Sequence, residues 1–319
     1  MEELTKEVKN INRIISEIYD KFKNYGRTGE GEYRPINYDA AHIEKSGSFK
    51  FFKVNGKYIL KPVGGEYSGP GNKEPGANHA GGGDRSLSLS DFIGIDHVIK
   101  EVFQNTIKFA SGKPANNLLL WGDRGTGKSS LIRAVAKSFG EPPYLNKIKF
   151  IEVVEDTAEL IYELITVIKT KPYRFVLVFD DIAFDADSLF YKKLKSVLDG
   201  GLDELPENII IYATSNKRHL TPEKFSNDKF NSTDFIHPEE EAEESLSLSD
   251  RFGLTFGLYG FNQETYLKIV DLYLKKYGIK TSSASMDDLR KNALSYAVIK
   301  GSRSGRTAKQ FVINLIKND

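Results

Sequence analysis

Eight consecutive residues, Gly122-Asp123-Arg124-Gly125-Thr126-Gly127-Lys128-Ser129, follow the pattern GxxxxGK[ST]. Every position has a use if the ligand is a triphosphate. Glycines let the backbone curl so that its N–H groups point at one anion. A helix that starts there adds a partial positive charge. The ammonium of Lys128 reaches the β- and γ-phosphates, and the Ser129 hydroxyl suits Mg²⁺. The flanks fit this use: the apolar run LLLW (118–121) precedes the loop, and SSLIRAVAKSF, with Ser130 in its first turn, follows with helical periodicity.

Two more strings end in polar groups. RFVLVF (174–179) runs into Asp180-Asp181. On its own such a pair usually makes a turn or a helix cap. Beside a phosphate-binding loop it has a different use: Asp180 holds Mg²⁺ through its water shell, and Asp181 orients or deprotonates the attacking water. IIIYATSN (209–216) is a third apolar run with a polar end, and Asn216 is placed to hold the water or the γ-phosphate beside Asp181. The ligands expected from these strings are ATP and Mg²⁺.

These groups work only if strands and helices carry them to one place. From residue 85 the chain alternates helical patterns with short apolar runs, as a parallel α/β sheet does. Strands are expected at 118–121, 148–154, 174–179, 208–213 and 254–258, with helices at 96–112, 128–139, 157–169 and 188–199 between them. Helices alone follow Asn262, at 263–277, 286–299 and 304–317. Before residue 85 the spacing predicts an amphipathic helix over 5–24 and a hairpin over 49–63, turning at Asn55-Gly56. The Gly/Pro-rich stretch 64–84 reads as a linker. Three units are therefore expected: 1–84, an α/β core at 85–261, and a helical subdomain at 262–319. The string SLSLSD occurs at 86–91 and 245–250, but its flanks differ, so it marks no duplicated domain.

Composition narrows the options. The 319 residues carry 45 basic and 44 acidic side chains, a formal charge of +1, which gives no general push towards nucleic acid or an anionic membrane. No cysteine is present, so disulfides, thiolate metal sites and cysteine nucleophiles are excluded. The five histidines show no metal-ligand spacing. No signal core or apolar run of about 20 residues is found, and a cytoplasmic, membrane-free protein is expected. The acidic run at Glu239–Glu244 reads as a solvated face in a long connection, 217–247.

With these strings in hand, residues 85–319 resemble the AAA+ ATPases. The resemblance is closer still to a bacterial group of predicted AAA+ ATPases known only as a domain of unknown function. The stretches that carry it are PANNLLLWGDRGTGKSS, IIIYATSNKRHL, IHPEEEAEESLSLSDRFGL and GSRSGRTAKQF. It implies an α/β P-loop NTPase sheet followed by a small helical lid. It implies that Arg251, in LSDRFG before the fifth core strand, is an arginine finger that completes a neighbour's site, and hence a homo-oligomer. Arg303, or failing it Arg306, stands where the family keeps a second sensing arginine. Phe92-Ile93-Gly94-Ile95 resembles the segment that packs on adenine. Aspartate at 181 departs from the glutamate common at that place and shortens its reach by one methylene. The segment after the second core strand, VVEDTAEL, lacks the aromatic-apolar-glycine loop of peptide-threading machines. Two functions stay open: an oligomeric ATPase that remodels a protein or nucleic-acid client, helicase-loader-like work on DNA included, and a nucleotide-gated binding module with little hydrolysis.

Overall fold

The computed structural model describes residues 46–54, 57–63, 87–182, 189–199, 204–216, 249–279 and 283–316. The expected helix at 5–24, the Asn55-Gly56 turn, the linker and the acidic run lie outside these residues.

Seven strands form one sheet: β1 (Ser48–Val54), β2 (Lys57–Pro62), β3 (Leu118–Gly122), β4 (Ile148–Val153), β5 (Arg174–Ile182), β6 (Ile209–Ser215) and β7 (Leu254–Leu258). Their order is β2-β1-β4-β5-β6-β3-β7. Every pairing is parallel except that of β1 with β2. Helices α1 (Asp96–Ala110), α2 (Lys128–Phe139), α3 (Ile161–Ile168) and α4 (Leu189–Asp199) fill the crossovers, and α5 (Gln263–Lys276), α6 (Ser283–Ile299) and α7 (Gly305–Asn314) follow the last strand. This is the α/β P-loop arrangement with a trailing helical subdomain that the sequence predicts.

Strand alternation sorts the core. Successive residues of a strand face opposite sides. Leu118 and Leu120 pack with Val98 and Val102 of α1 and Leu131 and Val135 of α2. Leu119 and Trp121 pack on the other face with Leu164 of α3 and Leu194 of α4. Because both faces are covered, β3 and β6 are buried at every position and read as continuous apolar runs. A third cluster, built on Tyr266, Val270, Ala297, Ala308 and Phe311, holds α5–α7 together and takes in Leu87 and Ile93 from the segment before α1.

Two expectations change. The hairpin was expected in a region apart from the core, yet β1 lies parallel to β4 (Ser48 opposite Phe150) and β2 makes the sheet's edge. Phe49, Phe51, Tyr58 and Leu60 are buried in the same cluster as Leu119. Lys149 of β4, fully buried, donates to the Ser46 carbonyl at 2.8 Å and ties in the hairpin's start. The helix expected from 157 begins only at Ile161, preceded by a tighter 3-10 turn at Glu155–Leu160. Among the described residues, no helix is long and apolar enough to cross a membrane.

Candidate functional site

Strand β6 hydrogen-bonds to both β3 and β5, so their three carboxyl ends lie side by side. That neighbourhood brings the loop after β3, the acidic end of β5 and the polar end of β6 to one edge. In open parallel sheets such an edge is where ligands bind.

The loop's shape depends on glycine. Gly122 has φ +127°, and a Cβ there would meet the Leu258 carbonyl oxygen at 2.0 Å. The next N–H, of Asp123, donates to that same oxygen at 3.0 Å, so β7 is pressed against the loop. The Asp123 carboxylate accepts from the Gly260 N–H at 2.7 Å. Gly127, at φ +106°, turns the chain into α2. Thr126 Oγ1 donates to the Asp123 carbonyl at 2.8 Å, closing the turn from inside.

Lys128 is 6% exposed. Its Nζ donates to the carbonyls of Gly122 (2.8 Å) and Asp123 (2.7 Å) and to Asn216 Oδ1 (3.1 Å). Burial holds its pKa below the ordinary lysine value and the charge of Arg306 adds to this, while Asp181, Asp123 and Asp180 pull the other way.

The acidic end of β5 is built by Thr214. Its hydroxyl donates to Asp180 Oδ1 (2.7 Å) and accepts from the Asp181 N–H (2.8 Å). Asp181 sits at φ +58°, the left-handed region that few residues other than glycine adopt. A bulge between Phe179 and Ile182 accompanies it, and β5 therefore continues to Ile182, past the end at 179 that its apolar run suggests. Asn216 Nδ2 donates to Asp181 Oδ1. One amide thus connects the lysine and the second aspartate.

Two cavities adjoin. One, of about 500 Å³, is lined by Arg124, Gly125, Gly127, Lys128, Ser129 and Ser130, with Asp180, Asp181 and Asn216 opposite; Thr214, Arg133 and Arg306 complete it. The other, of about 450 Å³, has apolar walls from Phe92, Ile93, Phe261 and Tyr273, and reaches Gly125, Thr126 and Arg306. Arg303 lines neither cavity; its carbonyl accepts from the Phe261 N–H at 3.2 Å. The cause is the start of α7. Ser304 caps that helix, which places Arg306 in its first turn, and the Gly305 N–H donates to the Gly125 carbonyl at 2.9 Å. Of the two arginines that the sequence offers, Arg306 borders both cavities and Arg303, the first choice from the sequence, borders neither. Arg251 lies outside both cavities and pairs with Asp199 of α4 at 3.3 Å, not with Asp250.

Residues that the strings did not single out are Thr214, Arg133, Tyr273 and Phe261. Thr214 sits inside ATSN, and that polar strand end was the signal available; its place between the two aspartates comes only with the fold. Asp91 is another. It borders the 450 Å³ cavity and pairs with Lys276 of α5 at 2.8 Å. Burial raises its pKa, but hydrogen bonds from Lys276 and Ser88 more than offset this, so its carboxyl lies below the ordinary value. A depressed carboxyl stabilises the fold above its unfolded pKa, and that contribution fades as pH falls through the folded value. Asp91→Asn is therefore expected to cost about 1 kcal/mol at pH 7, with the gap closing towards pH 3. Thermal melts of both proteins across that range check it.

Ser129 and Asp180 offer a hydroxyl and a carboxylate, the hard oxygen donors that Mg²⁺ takes. Among the described residues, no group of three or more His, Cys, Asp or Glu gathers to hold a metal by itself. Mg²⁺ is ordinarily held by one or two protein oxygens together with substrate phosphates, so the donor set fits that ion.

Comparison with known proteins adds the following. No curated protein matches the chain. Among solved structures, the AAA domain of FIGL-1 in complex with ADP is 17% identical, over 71% of this chain and 72% of that one, with a TM-score of 0.46. The RuvB Holliday junction branch migration motor of Thermotoga maritima is 14% identical, over 72% of each chain, with a TM-score of 0.41. Likenesses this distant carry no conclusion about activity. The family model described as "Protein of unknown function (DUF815)" matches residues 80–318, about three quarters of the sequence, and this protein belongs to that family.

Proposed function

We propose that this protein binds ATP with Mg²⁺ and hydrolyses it to ADP and phosphate. The observation that carries the reading is the convergence of Lys128, Ser129, Asp180, Asp181 and Asn216 on one cavity over the turn at 122–129. Phosphoryl transfer needs little covalent help; it needs positioning, and positive charge where negative charge develops. The backbone N–H groups of the loop and the Lys128 ammonium hold the phosphates. When bound, Mg²⁺ supplies positive charge at the β- and γ-oxygens. Thr214 fixes the orientation of Asp180 and the backbone of Asp181. Asp181 takes the proton of the attacking water, and Asn216 holds the Asp181 carboxylate in place. Adenine fits the apolar cavity beside Ile93, and Arg306 lies where the two cavities meet.

The wider reading is an oligomeric AAA+ ATPase in the cytoplasm, with a core at 85–261 and a lid at 262–319, remodelling a protein or nucleic-acid client. Support for assembly comes from Arg251, half exposed and turned away from the cavities of its own chain. The second reading, a nucleotide-gated module with slow hydrolysis, is favoured by the short Asp181 side chain and its bond to Asn216.

Titration with ATP, with and without Mg²⁺, tests binding; phosphate release tests turnover. Lys128→Ala is expected to weaken ATP at least about tenfold, the loss of a charge-assisted contact, and to bring phosphate release to background. Equal release by variant and wild type would reject the enzyme reading. Wild-type binding without release would leave the gated module.

A further inference from the structure

Arg133 stands one turn beyond Ser129 on α2 and borders both cavities. Its Nε donates to the Ser129 carbonyl at 3.2 Å, and its Nη2 donates to Asp180 Oδ2 at 3.2 Å. The other oxygen of Asp180 accepts from Thr214 at 2.7 Å. Both carboxylate oxygens are thus engaged, one by a neutral hydroxyl and one by a cation. The two partners differ in how firmly they are held. Thr214 is buried in β6 and cannot move away, whereas the Arg133 side chain is 69% exposed and pairs with a carboxylate that is 28% exposed. An exposed pair of this kind is weak and easily exchanged.

We infer that Arg133 is an exchangeable counter-cation for Asp180, neutralising that carboxylate when no divalent cation is bound and yielding it when one arrives. The inference rests on the reading of Asp180 as the metal-side carboxylate. Its consequence is specific. A triphosphate entering without metal meets Lys128 and a carboxylate already covered by Arg133. Without Arg133 the same triphosphate faces an uncovered negative charge across the cavity. With Mg²⁺ present, the ion covers Asp180 whether or not Arg133 is there. Arg133 therefore matters to nucleotide affinity mainly in the absence of metal, whereas a plain phosphate ligand would matter with and without it.

The test is titration of ATP carrying a fluorescent ribose label, in EDTA and in saturating Mg²⁺. The proteins are wild type, Arg133→Gln, Arg133→Lys, Asp180→Asn and the Arg133→Gln/Asp180→Asn double variant. Arg133→Gln is expected to weaken binding about fivefold in EDTA and less than about twofold in Mg²⁺, the range of a partly exposed ion pair. Arg133→Lys keeps the charge and stays close to wild type in both. In the Asp180→Asn background the loss in EDTA disappears, because the charge that Arg133 covers is gone. An equal loss in EDTA and Mg²⁺, no loss in either, or a loss that persists without the Asp180 carboxylate overturns the inference while the ATPase reading stands. If the wild type shows no Mg²⁺-dependent affinity for ATP, that reading fails first and takes this one with it.

Discussion

Asp181→Asn protein is expected to bind Mg²⁺ and ATP as the wild type does, and to release phosphate at least about 100-fold more slowly, the lower end of what a positioned general base contributes. The substitution is isosteric; it removes the proton acceptor and one negative charge beside Lys128, and leaves Asp180 untouched. It also suits the backbone: position 181 has φ +58°, and asparagine, like aspartate, enters that region at less cost than most residues. The N–H of residue 181 keeps its bond to Thr214 Oγ1, so the bulge in β5 is undisturbed. Alanine would confuse the result, because strain at a positive φ would add to the lost chemistry. Single-turnover phosphate release, beside equilibrium titration of ATP, separates the two steps. A rate within a few fold of wild type would remove Asp181 from the role of base. The same variant, stalled with ATP bound, is the form in which to recover a client, because it holds the pre-hydrolysis state.

How far the sequence led differs from residue to residue. The turn at 122–129 was legible because its chemistry is written in consecutive positions: a strand, three glycines, a lysine, a hydroxyl and a helix. The aspartates at 180–181 and Asn216 were legible as polar ends of apolar runs. The bonds among them were not. Thr214 reaches Asp180 across adjacent parallel strands, 34 residues apart in sequence, and no spacing rule connects such positions. Arg133 is one more charge in a helical pattern; only the fold brings it within 3.2 Å of Asp180. The start of α7 was legible, expected at 304 and found at Gly305; what no periodicity shows is that Gly305 docks on Gly125, which sets Arg306 and not Arg303 beside the cavities. The hairpin was seen as a hairpin, but its parallel pairing with β4 joins Ser48 to Phe150 over about a hundred residues. Nearness in sequence pairs β1 with β2; the burial of Phe49 and Phe51 goes with where the pair docks.

A loss about as large as any is expected at a residue that touches neither cavity of its own chain. Arg251→Ala should lower hydrolysis in the assembled protein about 1,000-fold, the usual worth of an arginine supplied to phosphoryl transfer by a neighbour, while ATP binding stays near wild type. The structure makes the variant a clean one. Arg251 is half exposed and its described ion pair, with Asp199, is a surface contact, so little stability depends on it. The neighbouring Phe252 is buried in the core cluster and anchors the start of β7, which keeps position 251 fixed whatever its side chain. Mixing distinguishes a finger acting between subunits from one acting within its own. Lys128→Ala protein keeps the arginine and loses its own site; Arg251→Ala protein keeps the site and loses the arginine. Each alone should be inactive. Combined in equal amounts and allowed to assemble at random, about one contact in four pairs an intact lysine with a neighbour's intact arginine, so roughly a quarter of wild-type activity should return. Recovery means that the charge crosses a subunit boundary, and specific activity should then rise with protein concentration. Full activity in Arg251→Ala alone would leave Arg251 as a surface arginine, and the proposed link between assembly and hydrolysis would need another carrier.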